Sequence, residues 1–295
     1  MFEKYVRTDL ALELKDDISS QNNIEGVQVE TYKDIECDLI KTHIRVLNQK
    51  GAENLGKPIG NYITLESERL SSDDEDIHMP FVLALHDVLR ELFHGAKRIF
   101  VIGLGNRNIT PDALGPSVVD HLYITRHLLR EGVVCNAMEI SALCPGVMAQ
   151  TGIETSTIIQ SLCTEVNPDI VICIDALAAR EAERLNTTIQ VCDTGITPGA
   201  GVGNRRLSLN EKTLGVPVIA IGVPTVISMP AMIGHAMEGL FDKLPVSVLQ
   251  QYEHEIVEFI RTPMVSSMFV TPKNIDELIR RISYTISEAI NRFLT

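Results

Sequence analysis

The feature that most constrains this chain is a set of short, almost wholly apolar runs that stop abruptly at glycine or aspartate. Arg98-Ile99-Phe100-Val101-Ile102-Gly103 is one, and Asp169-Ile170-Val171-Ile172-Cys173-Ile174, followed by Asp175, is the clearest. Runs of this length without polar alternation are what a strand covered on both faces requires. Weaker runs recur at 132–137, 188–191 and 216–222, and segments of helical length lie between them, 113–130 and 153–166 above all. Strand and helix therefore alternate, which predicts an α/β fold with a mainly parallel sheet flanked by helices.

Before this core, the alternation in Val27-Gln28-Val29-Glu30 and Tyr62-Ile63-Thr64-Leu65 predicts strands. An acidic break at 71–76 precedes apolar positions at helical spacing over 77–93. After it, 229–241, 246–260 and 274–293 read as helices, separated by links containing Pro245, Pro263 and Pro272.

Charge and composition narrow the function. A formal net charge of -13 disfavours a surface built to neutralise nucleic-acid phosphates. The scattered lysines of 41–50 and the lone pair Arg205-Arg206 read as solvated positions. No stretch reaches about 18 apolar residues, and MFEKYVRTDL lacks a signal-peptide core, so the chain is expected to stay in the cytoplasm where it is made, with no membrane partner. Six dispersed cysteines, Cys37, Cys135, Cys144, Cys163, Cys173 and Cys192, contain no C-x-x-C pair and read as small hydrophobes of a reducing compartment.

In open α/β sheets, ligands gather where loops leave the carboxyl ends of strands. Four segments qualify, 103–116, 145–152, 175–180 and 193–204, and they are expected to meet at one edge. Asp112 lies in the first, at a helix start, and Asp175 ends the predicted strand 171–174. Two neighbouring carboxyl groups can share a water, one accepting its proton while the other donates, or they can hold a divalent metal. Asp112 alone reads more readily as a helix cap. Asp175 is harder to place in an inert role, because an acidic group after an apolar run is desolvated unless it is paired or faces an open site.

Other chemistries lack their signatures. Gly103-x-Gly105 follows a strand, but Asn108 replaces the third glycine of the dinucleotide fingerprint and Pro111 delays the helix. The glycines of 198–204 lack the ending of a phosphate loop and suit close backbone approach. None of the eight histidines has metal-ligand spacing, and Cys144 has no neighbouring histidine that would make it a nucleophile.

Taken together, Arg7-Thr8-Asp9-Leu10-Ala11-Leu12-Glu13, the four loops, the segment 215–225 and Met268-Phe269-Val270-Thr271-Pro272-Lys273 resemble the germination protease family across nearly the whole chain. The resemblance implies a phosphorylase/hydrolase-like α/β core akin to hydrogenase maturation proteases, and an endopeptidase that degrades small acid-soluble spore proteins when a spore germinates. It also implies a homotetramer in the forespore or spore core, with the family's two essential aspartates falling on Asp112 and Asp175. It further implies a self-processing zymogen cut between Asp9 and Leu10, leaving 1–9 as propeptide and 10–295 as a single peptidase domain. Residues 1–9 are then expected to lie near the active site and block it. Two alternatives stay open: a metal-dependent maturation-type endopeptidase, against which the absence of histidine from the four loops counts, and a non-catalytic small-molecule-binding α/β module.

Overall fold

A computed structural model describes residues 8–18, 24–72, 75–93, 95–134, 137–200, 207–241 and 255–294. Among these residues nine strands form one sheet: β1 (Val27–Asp34), β2 (Leu39–Val46), β3 (Gly60–Glu66), β4 (Arg98–Gly103), β5 (Glu139–Leu143), β6 (Ile170–Ala179), β7 (Thr188–Cys192), β8 (Val218–Ser228) and β9 (Phe269–Val270). Their order is β1-β2-β3-β7-β8-β6-β4-β5, with β9 on β8. The four strands β5, β4, β6 and β8 are mutually parallel. The others extend this centre antiparallel, so the α/β sheet is mixed.

Alternation along the strands decides which helices cover which face. Ile99 and Val101 of β4, with Ile172 and Ile174 of β6, join the core beneath the helices His78–Phe93, Leu114–Asp120 and Ile275–Asn291. Phe100 and Ile102, with Val171 and Cys173, pack with Ile159 and Cys163 of the helix Thr155–Val166. Over the antiparallel half, Ala11 and Leu12 of the helix Ala11–Ile18 meet Ile44, Tyr62 and Ala220.

Three local expectations are corrected. The run 132–137 does not supply a strand in its described part. Gly132 takes a positive φ after the short helix Arg126–Arg130, and Val133 is exposed. The strand is β5 instead, and its residues look unlike a buried strand because it is an edge with one neighbour and a mostly half-buried pattern. The predicted helix 113–130 is broken after Asp120. Asn291 holds the turn between the two pieces by accepting from the Tyr123 N–H at 2.9 Å and donating to the His121 carbonyl at 3.0 Å. Finally, Asp175 does not end β6, which runs on to Ala179 beside β8. What ends at this level is β4, whose last paired residue, Gly103, lies opposite Ile174. Cys135 and residues 246–254, the first part of the helix expected over 246–260, lie outside the described residues.

Candidate active site

The departure of β4 opens the flank of β6 beside Asp175. Gly103 leaves no room for a side chain, since a Cβ there would stand 2.5 Å from the Gly115 carbonyl oxygen, and this lets the helix Leu114–Asp120 start against the strand. Gly105 follows with φ +110°, in the region that glycine alone adopts readily. The chain then closes a tight turn, Thr110–Asp112, with Pro111 at its start. The buried Thr225 hydroxyl fastens this turn to β8 by donating to the Pro111 carbonyl at 2.7 Å. Asp112 accepts the Asn106 N–H at 2.8 Å, so its carboxyl group braces its own loop and does not cap the helix that follows.

Asp112 and Asp175 line one cavity of about 920 Å³. Asp175 is 6% exposed, accepts the Ala176 N–H at 3.0 Å, and is in register with Gly222 of β8. Burial pushes its pKa well above the usual carboxylate range, and the charges of Asp112 and Asp9 push it further. Burial also raises Asp112, partly offset by the Asn106 N–H.

The same cavity takes in the start of the described chain, Thr8 and Asp9. Asp9 lies against the extension of β6, its N–H donating to the Ala178 carbonyl at 3.2 Å and its carboxylate accepting the Ala178 N–H at 3.0 Å. Its own carbonyl oxygen, that of the Asp9–Leu10 bond, accepts from Lys57 Nζ at 2.8 Å and from Gln190 Nε2 at 3.4 Å. Gln190 also accepts the Ala11 N–H at 2.7 Å. Leu10 is fully buried against Leu177 and Ala179. Further along, the fully buried carboxyl group of Glu13 accepts the Arg180 and Glu181 N–H groups at 3.0 Å and the Thr8 hydroxyl. Burial raises the pKa of Glu13, and these donors oppose the shift.

Of the four loops expected to converge, 103–116 and 175–180 do so. The segment 193–200 also lines the cavity, although β7 is antiparallel to β8 and sends it off from the opposite end of the sheet. Gly195 there, at φ +79°, passes so close to the Leu209 carbonyl that no Cβ fits, whereas Gly201 and Gly203 lie outside the described residues. The segment 145–152 only braces the site, Gln150 donating to Asn106 at 2.9 Å. Cys144 does not line the cavity, and burial pushes its thiol up.

Sequence reasoning missed Lys57 and Gln190. Gln190 left a trace, a lone amide in the middle of the apolar strand Thr188–Cys192, whereas Lys57, in Gly56-Lys57-Pro58, left none. Among the described residues no group of three or more His, Cys, Asp or Glu is disposed to hold a metal ion, so a cation at Asp112 and Asp175 would draw on those two side chains alone.

The fold and the cavity define an α/β protein with a carboxyl pair facing a cleft, into which a segment of its own chain is laid. Residues 7–251 match the sequence profile of the germination protease family. Curated germination proteases are 42% identical in Caldanaerobacter subterraneus, over 97% of this chain and 93% of that protein. Identity is 40% in Clostridium perfringens, over 97% and 94%. In Bacillus subtilis it is 35%, over 98% and 93%. A hydrogenase maturation protease, HycI, of Thermococcus kodakarensis aligns over 69% of this chain and 98% of its own, at 18% identity and a TM-score of 0.35, a distant likeness on which nothing further rests. The chain belongs to the germination protease family of peptidases.

Proposed function

We propose that this protein is an endopeptidase that begins the degradation of small acid-soluble spore proteins, and that Asp112 and Asp175 carry the hydrolysis. In this reading residues 1–9 are a propeptide, 10–295 a single peptidase domain, and the working assembly a homotetramer in the spore core. The observation that carries it is the seating of Thr8 and Asp9 in the cavity lined by both carboxyl groups. An acidic residue followed by an apolar residue and alanine, the pattern that the family resemblance implies for its substrates, occurs there as Asp9-Leu10-Ala11. The chain thus holds a substrate-like segment of its own, which blocks the cleft until it is cut.

The chemistry follows from the unequal burial of the pair. Asp175, buried and raised by the neighbouring charges, keeps its proton. Asp112, less enclosed and held by the Asn106 N–H, is the ionised partner and general base. A water gives a proton to Asp112 as its oxygen adds to the carbonyl carbon, and the carbonyl π pair moves onto oxygen. When that pair returns, the C–N bond breaks and the leaving nitrogen takes the proton of Asp175; the proton held by Asp112 then passes to Asp175, through water, and restores the starting pair. One water is consumed, and a carboxylic acid and an amine are released.

The test compares wild type with Asp112→Asn and Asp175→Asn, with and without chelator, against a small acid-soluble spore protein. Wild type is expected to digest it and to begin at Leu10 by mass spectrometry, while both variants leave the substrate whole and keep Met1. Full activity in both variants would show that the site lies elsewhere. Loss of wild-type activity on chelation would add a metal between the carboxyl groups.

A further inference from the structure

We propose that Lys57 is a catalytic residue of this peptidase: its ammonium group holds the oxygen of the bond to be cut and stabilises the negative charge that this oxygen gains as water adds. The inference rests on the reading that the Asp9–Leu10 bond is hydrolysed at Asp112 and Asp175.

The local chain brings Lys57 to this place for definite reasons. The helix Gln49–Leu55 ends at Gly56, whose φ of +70° reverses the backbone and whose N–H caps the helix on the Ala52 carbonyl. Pro58 follows, and its carbonyl accepts the Tyr62 hydroxyl at 3.0 Å, tying the turn to β3. Lys57, between the two, lines the cavity with a partly buried side chain.

Its ammonium donates to the Asp9 carbonyl oxygen, and so does the Gln190 amide. Two donors from separate elements, the turn after a helix and the strand β7, therefore converge on the oxygen of one peptide bond. That is the arrangement by which preorganised donors stabilise a tetrahedral oxyanion. The Asp9 N–H and one of its carboxylate oxygens are engaged on Ala178, and the hydrogen bond of Lys57 goes to the Asp9 carbonyl. Gln190 grips the bond from both sides by also accepting the Ala11 N–H, which fixes the direction in which the carbonyl points.

The electrostatics agree. Burial draws the pKa of Lys57 down, opposed by the charges of Asp9, Cys192 and Glu13. A partly desolvated cation against a neutral carbonyl gains when that carbonyl becomes an anion, and this gain accrues to the transition state more than to the ground state. Lys57 stays protonated throughout. The oxygen takes the π pair during addition, returns it when the C–N bond breaks, and exchanges no proton with the ammonium.

A tether would use the same contact without catalysis, holding Asp9 in place equally before and during the reaction, and the test separates the two. The first-order rate at which the full-length chain converts from a Met1 to a Leu10 N-terminus is followed by mass spectrometry. In the same samples, hydrogen exchange at the Ala11 amide reports whether the segment is seated. Lys57→Met, which keeps the apolar stem, is expected to process about 10²–10³-fold more slowly with Ala11 protection unchanged. Lys57→Ala is expected to recover at least about tenfold of the lost rate when propylammonium is added, a response that a misfolded or unseated variant cannot give. Processing of Lys57→Met within about threefold of wild type, or a slow rate accompanied by lost Ala11 protection, overturns the assignment. If Asp175→Asn processes as fast as wild type, it is the carboxyl site that fails, and the two results are told apart.

Discussion

The main-chain oxygen of Asp112 lies 2.0 Å from the point where a Cβ on Gly105 would stand. Two residues seven apart in a numbered span of loop are thus packed backbone against backbone, and this contact sets where the Asp112 carboxyl group points. Gly105→Ala must push that loop outward and also strains a backbone at φ +110°. The expected result is at least about a hundredfold loss in kcat, with the cooperative unfolding transition retained; a rate within threefold of wild type would show that the loop relaxes without moving the carboxyl group.

Asp175 is expected to cost stability in proportion to its use. Its folded pKa is raised, so the folded state holds a proton that the unfolded state releases above about pH 4. Stability therefore falls as pH rises from there through the folded pKa. Asp175→Asn keeps the acceptor for the Ala176 N–H and removes the titration. Thermal unfolding from pH 4 to 8 should show the variant gaining on wild type as pH rises, while proteolysis is lost.

The opposite sign is expected at Asp169. Its carboxylate accepts from the backbone N–H groups of Lys97 and Arg98 and pairs with the Arg98 guanidinium, which holds its pKa at about 2. This contribution is present above the unfolded pKa and is lost as pH falls through the folded one. The gap in Tm between wild type and Asp169→Asn should be widest above about pH 4 and close by about pH 2.

Glu13 anchors the self-bound segment. Glu13→Ala strips the acceptor from the Arg180 and Glu181 N–H groups, an expected loss of about 2 kcal/mol and a Tm lower by roughly 5 °C. Because Leu10 to Glu13 then lose their register, cutting at Asp9–Leu10 should slow by at least about tenfold. Unchanged processing would mean that the contacts of Asp9 alone seat the bond.

Much of this architecture was legible from local pattern. The buried strands β4 and β6 and the helices His78–Phe93 and Ile275–Asn291 have apolar periods that only one kind of element satisfies. Asp175 stood out because a carboxyl group after an apolar run has no inert explanation. β5 escaped because an edge strand buries too little to need an apolar sequence, and β2 because the polar Thr42 takes one of its buried positions and interrupts the alternation.

The order of residues alone carries the α/β alternation, the membership of the chain in its family, and the candidacy of Asp112, Asp175 and the Asp9–Leu10 bond. That β6 outruns β4, so that Asp175 faces a cleft from the middle of a strand, emerges from the folded sheet alone. So does the meeting of Lys57 and Gln190, remote from Asp9 in sequence, on its carbonyl oxygen. The reason is physical. Burial and periodicity are properties of neighbouring residues and leave a trace in their order, whereas the convergence of donors on one oxygen depends on strand order and helix direction, which no local pattern records.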